Sequence, residues 1–249
     1  MGSLTCLALA ALAALLAATS SAGAACREID DSSARYALCE FDARRDEIRL
    51  FLRGADGETL GSFSQLEAEL ARKGETLVFA MNAGMYSEDF SPVGLYVEAG
   101  ETKHAANLRS GAGNFHMKPN GVFWVADGRA GVAETNAFLK KRLRPAYATQ
   151  SGPLLVVGGR INPHIHEDGQ SAKIRNGVCV TDGRIAHFAI SNEPVTFHAF
   201  AHLFRERLGC SDALYLDGSI SSLYAPQLDR HDRFRPLGPI VGVVKGLRR

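Results

Sequence analysis

Alternating hydrophobic and polar positions predict that most of this chain forms short β-strands. The stretch DEIRLFLR places Ile48, Leu50 and Leu52 opposite Arg49 and Arg53, which is the period of a half-buried strand. Uninterrupted apolar runs such as TLVFA, LLVV and ALYL are typical of strands that are buried on both faces. The chain is therefore rich in strands throughout, with no internal repeat and no linker.

Turn signals separate these strands. Asp127-Gly128 and Asp182-Gly183 each lie between two strand-like segments, and Asp-Gly pairs at such places predict tight β-hairpins. Gly158-Gly159 predicts a third turn, because glycine accepts the positive φ angles that tight turns require.

Two segments have helical periodicity instead. FSQLEAELARKG carries a capping box formed by Ser64 and Glu67 and a stop signal at Gly74. TFHAFAHLFRERLG spaces its apolar residues for one helical face and ends at Gly209. The sequence thus predicts a single α+β domain of mixed or antiparallel strands and hairpins, with two or three helices.

The first 25 residues predict export. An apolar run rich in Ala and Leu, residues 4–18, is followed by SSAGAA, in which Ala22 and Ala24 have signal-cleavage spacing. We expect a signal peptide over residues 1–25, a mature domain over 26–249, and a periplasmic or secreted protein. No second apolar stretch is long enough to predict a membrane span.

The net charge bears on possible partners, and the cysteine content bears on disulfide bonds. The formal net charge is +1 and no basic stripe occurs, so no nucleic-acid partner is expected. Outside the expected signal peptide, four cysteines remain, and three pairings are possible. Neighbours in sequence are favoured, Cys26 with Cys39 and Cys179 with Cys210, and four buried thiols are the alternative.

Polar residues recur where apolar strands end. Asn82 follows TLVFAM, Asp217 follows ALYL, and the segments NFHMKPNG, QSGP, KIRNG and SNEP each adjoin a strand. Loops at strand ends are common places for binding sites, but Asn, Asp, Ser and Gly also form ordinary turns. These residues alone leave both interpretations open.

Five of these segments occur in a characteristic order: MNAGMY, KPNGVF, QSGPLLV, RNGVCV and LYLDGSISSLYAP. Over residues 75 to 244 the set resembles the phosphodiester glycosidase family. Its bacterial exported branch is the closer match, because the mammalian branch has Asn-Gly-Gly where this chain has Asn82-Ala83-Gly84. The resemblance implies an exported hydrolase that cleaves the glycosidic bond of a sugar-1-phosphodiester or related glycan, with a carbohydrate or sugar-phosphate substrate.

The resemblance also implies that these strand ends line the substrate cleft. Asp217 is expected as nucleophile or base, and Glu193 is the competing carboxylate. Arg175 is expected to bind the phosphate, since its planar fork matches two phosphate oxygens. The expected substrate-binding residues are Asn82, Gly84, Tyr86, Lys118, Asn120, Ser151, Gly152, Asn176, Gly218 and Ser219.

The sequence also bears on a glycan-binding function, a metal site and a cofactor. A non-catalytic periplasmic glycan-binding module would use the same cleft without needing Asp217 for chemistry. His164 and His166 form a His-x-His pair that suits a metal, but an exposed polar loop is the favoured interpretation, so no metal site is predicted. No Rossmann or phosphate-loop pattern occurs, so no cofactor is expected.

Overall fold

A computed structural model describes residues 25–31, 34–217 and 219–246 of the chain. The strands, in chain order, are β1 (Cys26–Asp31), β2 (Ala34–Asp42), β3 (Glu47–Phe51), β4 (Glu75–Asn82), β5 (Tyr96–Glu98), β6 (Glu101–His104), β7 (Gly121–Ala126), β8 (Arg129–Glu134), β9 (Tyr147–Ser151), β10 (Leu154–Val157), β11 (Arg160–Ile161), β12 (Asn176–Thr181), β13 (Ile185–Ser191), β14 (Ala213–Asp217), β15 (Leu223–Ala225), β16 (Arg230–His231) and β17 (Ile240–Gly246). The helices are α1 (Phe63–Arg72), α2 (Thr135–Lys140) and α3 (Phe197–His202), and α3 continues in a π-helical turn, Leu203–Arg207.

The strands form three sheets, and neighbouring strands within each sheet run antiparallel. The first sheet has the order β1-β2-β13-β12-β14-β10-β11, the second β16-β15-β4-β17-β3, and the third β6-β5-β9-β7-β8. The predicted α+β class with mixed or antiparallel strands is therefore confirmed, and the sheets are antiparallel.

The three sheets share one core. Phe41 and Phe188 of the first sheet contact Phe79 of the second, each with ring centroids 5.0 Å apart. Phe188 also meets Phe123 of the third sheet at 5.6 Å. These four buried rings join all three sheets, so their strand ends are held at fixed positions relative to one another.

The helices follow the predicted pattern with two differences. The cap of α1 is Ser62, whose hydroxyl accepts from the Gln65 N–H at 3.2 Å, so the predicted cap at Ser64 is wrong. Ser62 and Gln65 form the capping pair two residues earlier. Helix α2 is capped by the Glu134 side chain. It has only six residues, which is too short for a helical periodicity to show in the sequence.

The predicted hairpins and cysteine pairs are confirmed. Both residues of Asp127-Gly128 and of Asp182-Gly183 have positive φ angles. The first pair forms a two-residue hairpin turn, and the second lies in a three-residue turn, 182–184. Disulfides join Cys26 to Cys39 and Cys179 to Cys210.

The described residues contain no helix long and apolar enough to cross a membrane. Residues 1–24 of the expected signal peptide lie outside the described residues.

Candidate active site

Three predicted site residues meet at the strand ends of two sheets. Asn82 ends β4, Asn176 begins β12 and Asp217 ends β14. The Asn176 side-chain amide donates to Asn82 Oδ1 at 2.9 Å and to the Asn82 carbonyl at 3.0 Å, and its Oδ1 accepts from the Asp217 N–H at 3.0 Å. All three residues are buried. A single amide therefore positions the backbone of the catalytic candidate against the neighbouring sheet.

The side-chain amide of Asn82 has one orientation. Its Oδ1 accepts from Asn176 and from the Ser222 N–H at 2.9 Å, so a flipped amide would lose both bonds. Its Nδ2 is buried and has no hydrogen-bond acceptor among the described residues. Since a buried donor without a partner is costly, Asn82 carries an unused donor at the junction that Asn176 forms with Asp217.

The loop after β14 holds the Asp217 carboxylate. Its Oδ1 accepts from the Ser219 N–H at 2.8 Å, and the Asp217 carbonyl accepts from the Ser221 hydroxyl at 2.7 Å. Behind it, the buried Ser151 hydroxyl donates to the Leu216 carbonyl at 2.8 Å and ties β9 of the third sheet to β14. The predicted residue Gly218 lies outside the described residues.

The guanidinium of Arg175 is fully buried and bonded to protein. Its Nε donates to the Val195 carbonyl at 2.8 Å, Nη2 to the Ser171 carbonyl at 2.7 Å, and Nη1 to the Tyr215 hydroxyl at 3.2 Å. It also lies 3.6 Å from the centre of the Phe197 ring. Burial lowers its pKa, and the neighbouring Tyr215 opposes that change. Arg175 thus joins two loops to β14 at a residue two positions before Asp217.

Glu193 lies apart from Asp217. It follows β13, and its Oε2 accepts from the Arg35 N–H on β2 at 2.9 Å. Because β12 lies between β13 and β14, two strand spacings of together about 10 Å separate these strands. Glu193 is drawn further away by its ion pair with Arg35, at 3.5 Å.

Tyr86 lies four residues after β4 and is held by contacts to Phe90, Pro236 and Gly238. It stacks on Phe90 with centroids 5.4 Å apart, and its hydroxyl donates to the Pro236 carbonyl at 2.7 Å. Its ring also packs on Gly238, where an added Cβ would come within 2.2 Å of it. Burial and the Asp217 charge raise the Tyr86 pKa to about 12. The phenol is therefore neutral and lies within electrostatic range of Asp217.

At two predicted glycines, the absence of a side chain lets other parts of the protein approach the backbone closely. Gly84 has a φ of +115°, and an added Cβ would lie 2.6 Å from Thr149 Oγ1. At Gly152 an added Cβ would lie 2.7 Å from the Phe115 carbonyl. The Asn120 amide likewise serves the fold, donating to that carbonyl at 3.2 Å and accepting from the Thr135 hydroxyl at 2.9 Å. In this structure, Gly84, Gly152 and Asn120 therefore make close contacts within the protein itself.

Two further groups from the sequence analysis lie in loops. Lys118 is half-buried, and the structure records no ion pair for it within the described residues. His164 and His166 are exposed on a loop that borders a cavity of about 130 Å³ beside Phe197. In the part of the chain that is described, no three His, Cys, Asp or Glu side chains come together to hold a metal.

The sequence profile described as Phosphodiester glycosidase matches residues 75–244, which include the Asn82, Asn176 and Asp217 strand ends. The chain belongs to the phosphodiester glycosidase family. A curated relative, described as the uncharacterized protein YigE of Escherichia coli, is 40% identical over 179 residues, covering 72% of this chain and 70% of the relative.

The family fold is confirmed by a solved structure. The catalytic domain of zebrafish N-acetylglucosamine-1-phosphodiester alpha-N-acetylglucosaminidase, auto-inhibited by its pro-peptide, superposes with a TM-score of 0.58 at 13% identity. The match covers 90% of this chain and 82% of the zebrafish chain.

Several residues of the site were not predicted from the sequence. Ser221 and Ser222 bond to Asp217 and Asn82, and they lie within the family motif that follows β14. The Tyr215 hydroxyl accepts a hydrogen bond from Arg175. In the sequence, Tyr215 appears only as one of the apolar residues of the buried strand β14. Arg235 acts on the charge environment of Tyr86, and nothing in its local sequence sets it apart.

Proposed function

We propose that this phosphodiester glycosidase family member is an exported hydrolase that cleaves the glycosidic bond of a sugar-1-phosphodiester. The observation that carries the proposal is the strand-end junction at which Asn176 bonds both to Asn82 and to the Asp217 N–H, where Asn82 Nδ2 has no acceptor among the described residues. A carboxylate and an amide donor held at one junction can act on a sugar and on its oxygen substituents at the same time.

In the proposed reaction, the bond between the anomeric carbon and the phosphate oxygen breaks. The electron pair leaves with the phosphomonoester, which is already a stable anion, so strong acid catalysis at the leaving group is not needed. Asp217 stabilises the developing positive charge at the anomeric carbon and acts as nucleophile or as base for water. Water supplies the new oxygen on that carbon, and its proton passes to the carboxylate or to solvent.

The other residues hold this arrangement. Asn82 Nδ2 donates to a sugar or phosphate oxygen, and Asn176 and Ser219 keep the Asp217 backbone and carboxylate in place. We assign Arg175 a positioning role through Tyr215, because its guanidinium already donates to three protein oxygens. Lys118 remains a candidate contact to the substrate at the cleft edge.

The test is Asp217→Asn, with Glu193→Gln as the matched carboxylate control. The purified proteins are given a panel of sugar-1-phosphodiesters, and released sugar and phosphomonoester are measured. We expect Asp217→Asn to lower the turnover rate about 10²–10³-fold, and Glu193→Gln to stay near wild type, since Glu193 is tied to Arg35.

Thermal melting establishes that both variants are folded. A folded Asp217→Asn protein with near-native turnover would remove Asp217 from the chemistry. Wild-type protein that binds a glycan and hydrolyses no member of the panel would instead support the glycan-binding module.

A further inference from the structure

The proposed reaction requires a cation that faces the leaving phosphate. Negative charge grows on the phosphate as the glycosidic bond breaks, and guanidinium groups stabilise such charge by paired hydrogen bonds. Arg175 does not face the cleft in this way, because it is fully buried and donates to the Val195, Ser171 and Tyr215 oxygens. The positive charge must therefore come from elsewhere on the cleft wall.

Residues 233–236, Arg-Phe-Arg-Pro, form an exposed segment next to Tyr86, which we call the rim segment. All four residues are exposed, and Phe234 is 84% exposed. The base of the segment is fixed, because Leu237 is buried and its N–H donates to the Gly61 carbonyl at 2.8 Å. The rim segment thus presents two cations and a phenyl ring from a well-anchored position.

Tyr86 connects the rim segment to the strand-end site. Its hydroxyl donates to the Pro236 carbonyl at 2.7 Å, and its ring packs on Gly238. The charges of Asp217 and Arg235 both act on this hydroxyl, Asp217 raising and Arg235 lowering the Tyr86 pKa. The chain that leaves the rim segment also contacts the strand-end site directly, because the Ala83 N–H donates to the Pro239 carbonyl at 2.7 Å.

Arg235 is available for a ligand. It takes part in no hydrogen bond or ion pair with any described residue. Its neighbour Arg233, by comparison, donates to the His231 ring at 3.2 Å. An exposed guanidinium that bonds to none of the described residues, near the strand end that carries Asp217, matches the charge distribution of a sugar phosphodiester.

We propose that the rim segment forms the phosphate and aglycone subsite of this enzyme, with Arg235 binding the phosphate and Phe234 contacting an apolar face of the aglycone. The inference rests on the proposed function for its place in the reaction. It predicts a substrate class, namely phosphodiesters whose aglycone has an apolar or aromatic surface next to the phosphate.

Binding tests the subsite without requiring turnover. Full-length mature protein is titrated with methyl phosphate and with benzyl phosphate at low ionic strength, and affinities are measured by calorimetry and by amide shifts in NMR spectra. We expect Arg235→Ala to weaken both ligands about 10–100-fold, the usual effect of losing a hydrogen bond to a charged group. Arg235→Lys should recover part of the affinity, since lysine keeps the charge and loses the planar fork.

Phe234 is tested by the difference between the two ligands. Phe234→Ala should weaken benzyl phosphate about 3–10-fold, the range of an aromatic contact, and leave methyl phosphate unchanged. The controls are Arg160→Ala, which removes an exposed arginine on β11, and Leu139→Ala, which removes an exposed apolar residue on α2. Neither control should change binding.

The outcomes separate this subsite from the proposed function. Equal affinities for Arg235→Ala and Arg160→Ala, a loss that appears in Lys118→Ala instead, or no binding by wild-type protein would overturn the subsite. Equal benzyl and methyl phosphate affinities in wild type and Phe234→Ala would overturn the aglycone contact. Phosphate binding that depends on Arg235, together with no hydrolysis of any phosphodiester, would support the subsite and reject the proposed function.

Discussion

At the scale of single residues, Asn82 serves the fold and the site with one side chain. Its Oδ1 receives two hydrogen bonds from distant parts of the chain, while its Nδ2 has no acceptor among the described residues. An amide is well suited to this double task because one planar group carries an acceptor oxygen at one end and a donor NH₂ at the other.

Asn82→Ala should therefore reduce both stability and activity. The substitution leaves the Ser222 N–H and one Asn176 donor without their acceptor, and buried donors without partners cost about 1–3 kcal/mol each. We expect the free energy of unfolding in urea to fall by about 2–4 kcal/mol. Asn136→Ala, which removes a surface contact to Glu134 on α2, is the control. Equal unfolding energies for the two variants would contradict the prediction.

The contribution of Asp42 to the stability of the protein depends on pH. Burial opposes its ionisation, but hydrogen bonds from the Arg44 N–H and the Arg184 guanidinium outweigh burial, so its pKa lies below the ordinary value of 3.8. A carboxyl whose pKa is lowered by folding stabilises the protein above that ordinary value. The contribution disappears as the pH falls through the folded-state pKa.

Asp42→Asn should accordingly destabilise the protein at pH 7 and have a smaller effect below about pH 3. Urea unfolding of wild type and variant at both pH values measures the difference. Asp127→Asn, at an exposed hairpin tip without a hydrogen bond or ion pair to any described residue, is the control. A cost for Asp42→Asn that is the same at both pH values would show that its charge does not matter.

At the scale of elements, the site is built from strand ends and the loops that follow them. Strands β4, β12 and β14 supply Asn82, Asn176 and Asp217 at one edge of two sheets. Helix α3 packs beside them, and the Arg175 guanidinium lies over the Phe197 ring at its first turn. The position of this helix is therefore linked, through Arg175, to the strand that ends at Asp217.

The Cys179–Cys210 disulfide strengthens that link. It joins β12 to the segment after α3 across 31 residues, and a disulfide that closes such a loop contributes about 3–4 kcal/mol. We expect the Cys179→Ala/Cys210→Ala double variant to lose that amount in urea unfolding. The Cys26→Ala/Cys39→Ala pair closes a loop of 13 residues and should cost about 3 kcal/mol.

Peptide mapping without reducing agent is the direct check on both pairs. Free thiols at positions 179 and 210 in protein recovered from an oxidising compartment would reject the bridge. If the peptide map finds the bridge and the double variant has an unchanged unfolding energy, the bridge adds no stability and the stability prediction is wrong.

At the scale of the whole molecule, three sheets converge on one aromatic core. Phe41, Phe79, Phe123 and Phe188 connect them, and Ser151 of the third sheet reaches the strand that ends at Asp217. The site at the junction thus depends on all three sheets. Close packing in that shared core restrains the relative positions of the strands that carry the site.

The whole chain is also the scale at which export is tested. We expect mature protein that begins near Ala25 or Cys26, because the apolar run over residues 4–18 precedes a small-residue cleavage pattern. Intact mass of the protein from periplasm or medium measures this. Leu15→Arg, which places a charge in the apolar run, should leave an unprocessed chain in the cytoplasm. Wild-type protein that keeps Met1 in the cytoplasm would contradict export.

The sequence by itself determined the local elements and the family. Period-two alternation predicted β3, the Asp-Gly pairs predicted two hairpins, and the ordered motifs implied by resemblance that Asn82 and Asp217 are site residues. These signals are readable because they depend on neighbours within about ten residues, through side-chain alternation and turn conformation. The capping position of α1 was misread by two residues because two serines both fit a capping box.

Only the tertiary structure decided which of these residues act together. The shared amide joins positions 82 and 176, and the register of β12 against β14 places Asn176 beside Asp217. The strand order β13-β12-β14 separates Glu193 from Asp217. Packing of α3 on the first sheet buries Arg175 against Phe197, and the loop after β16 leaves Arg235 exposed near Tyr86. These outcomes depend on pairings between strands far apart in the chain, and no local periodicity specifies which distant strand a given strand will meet.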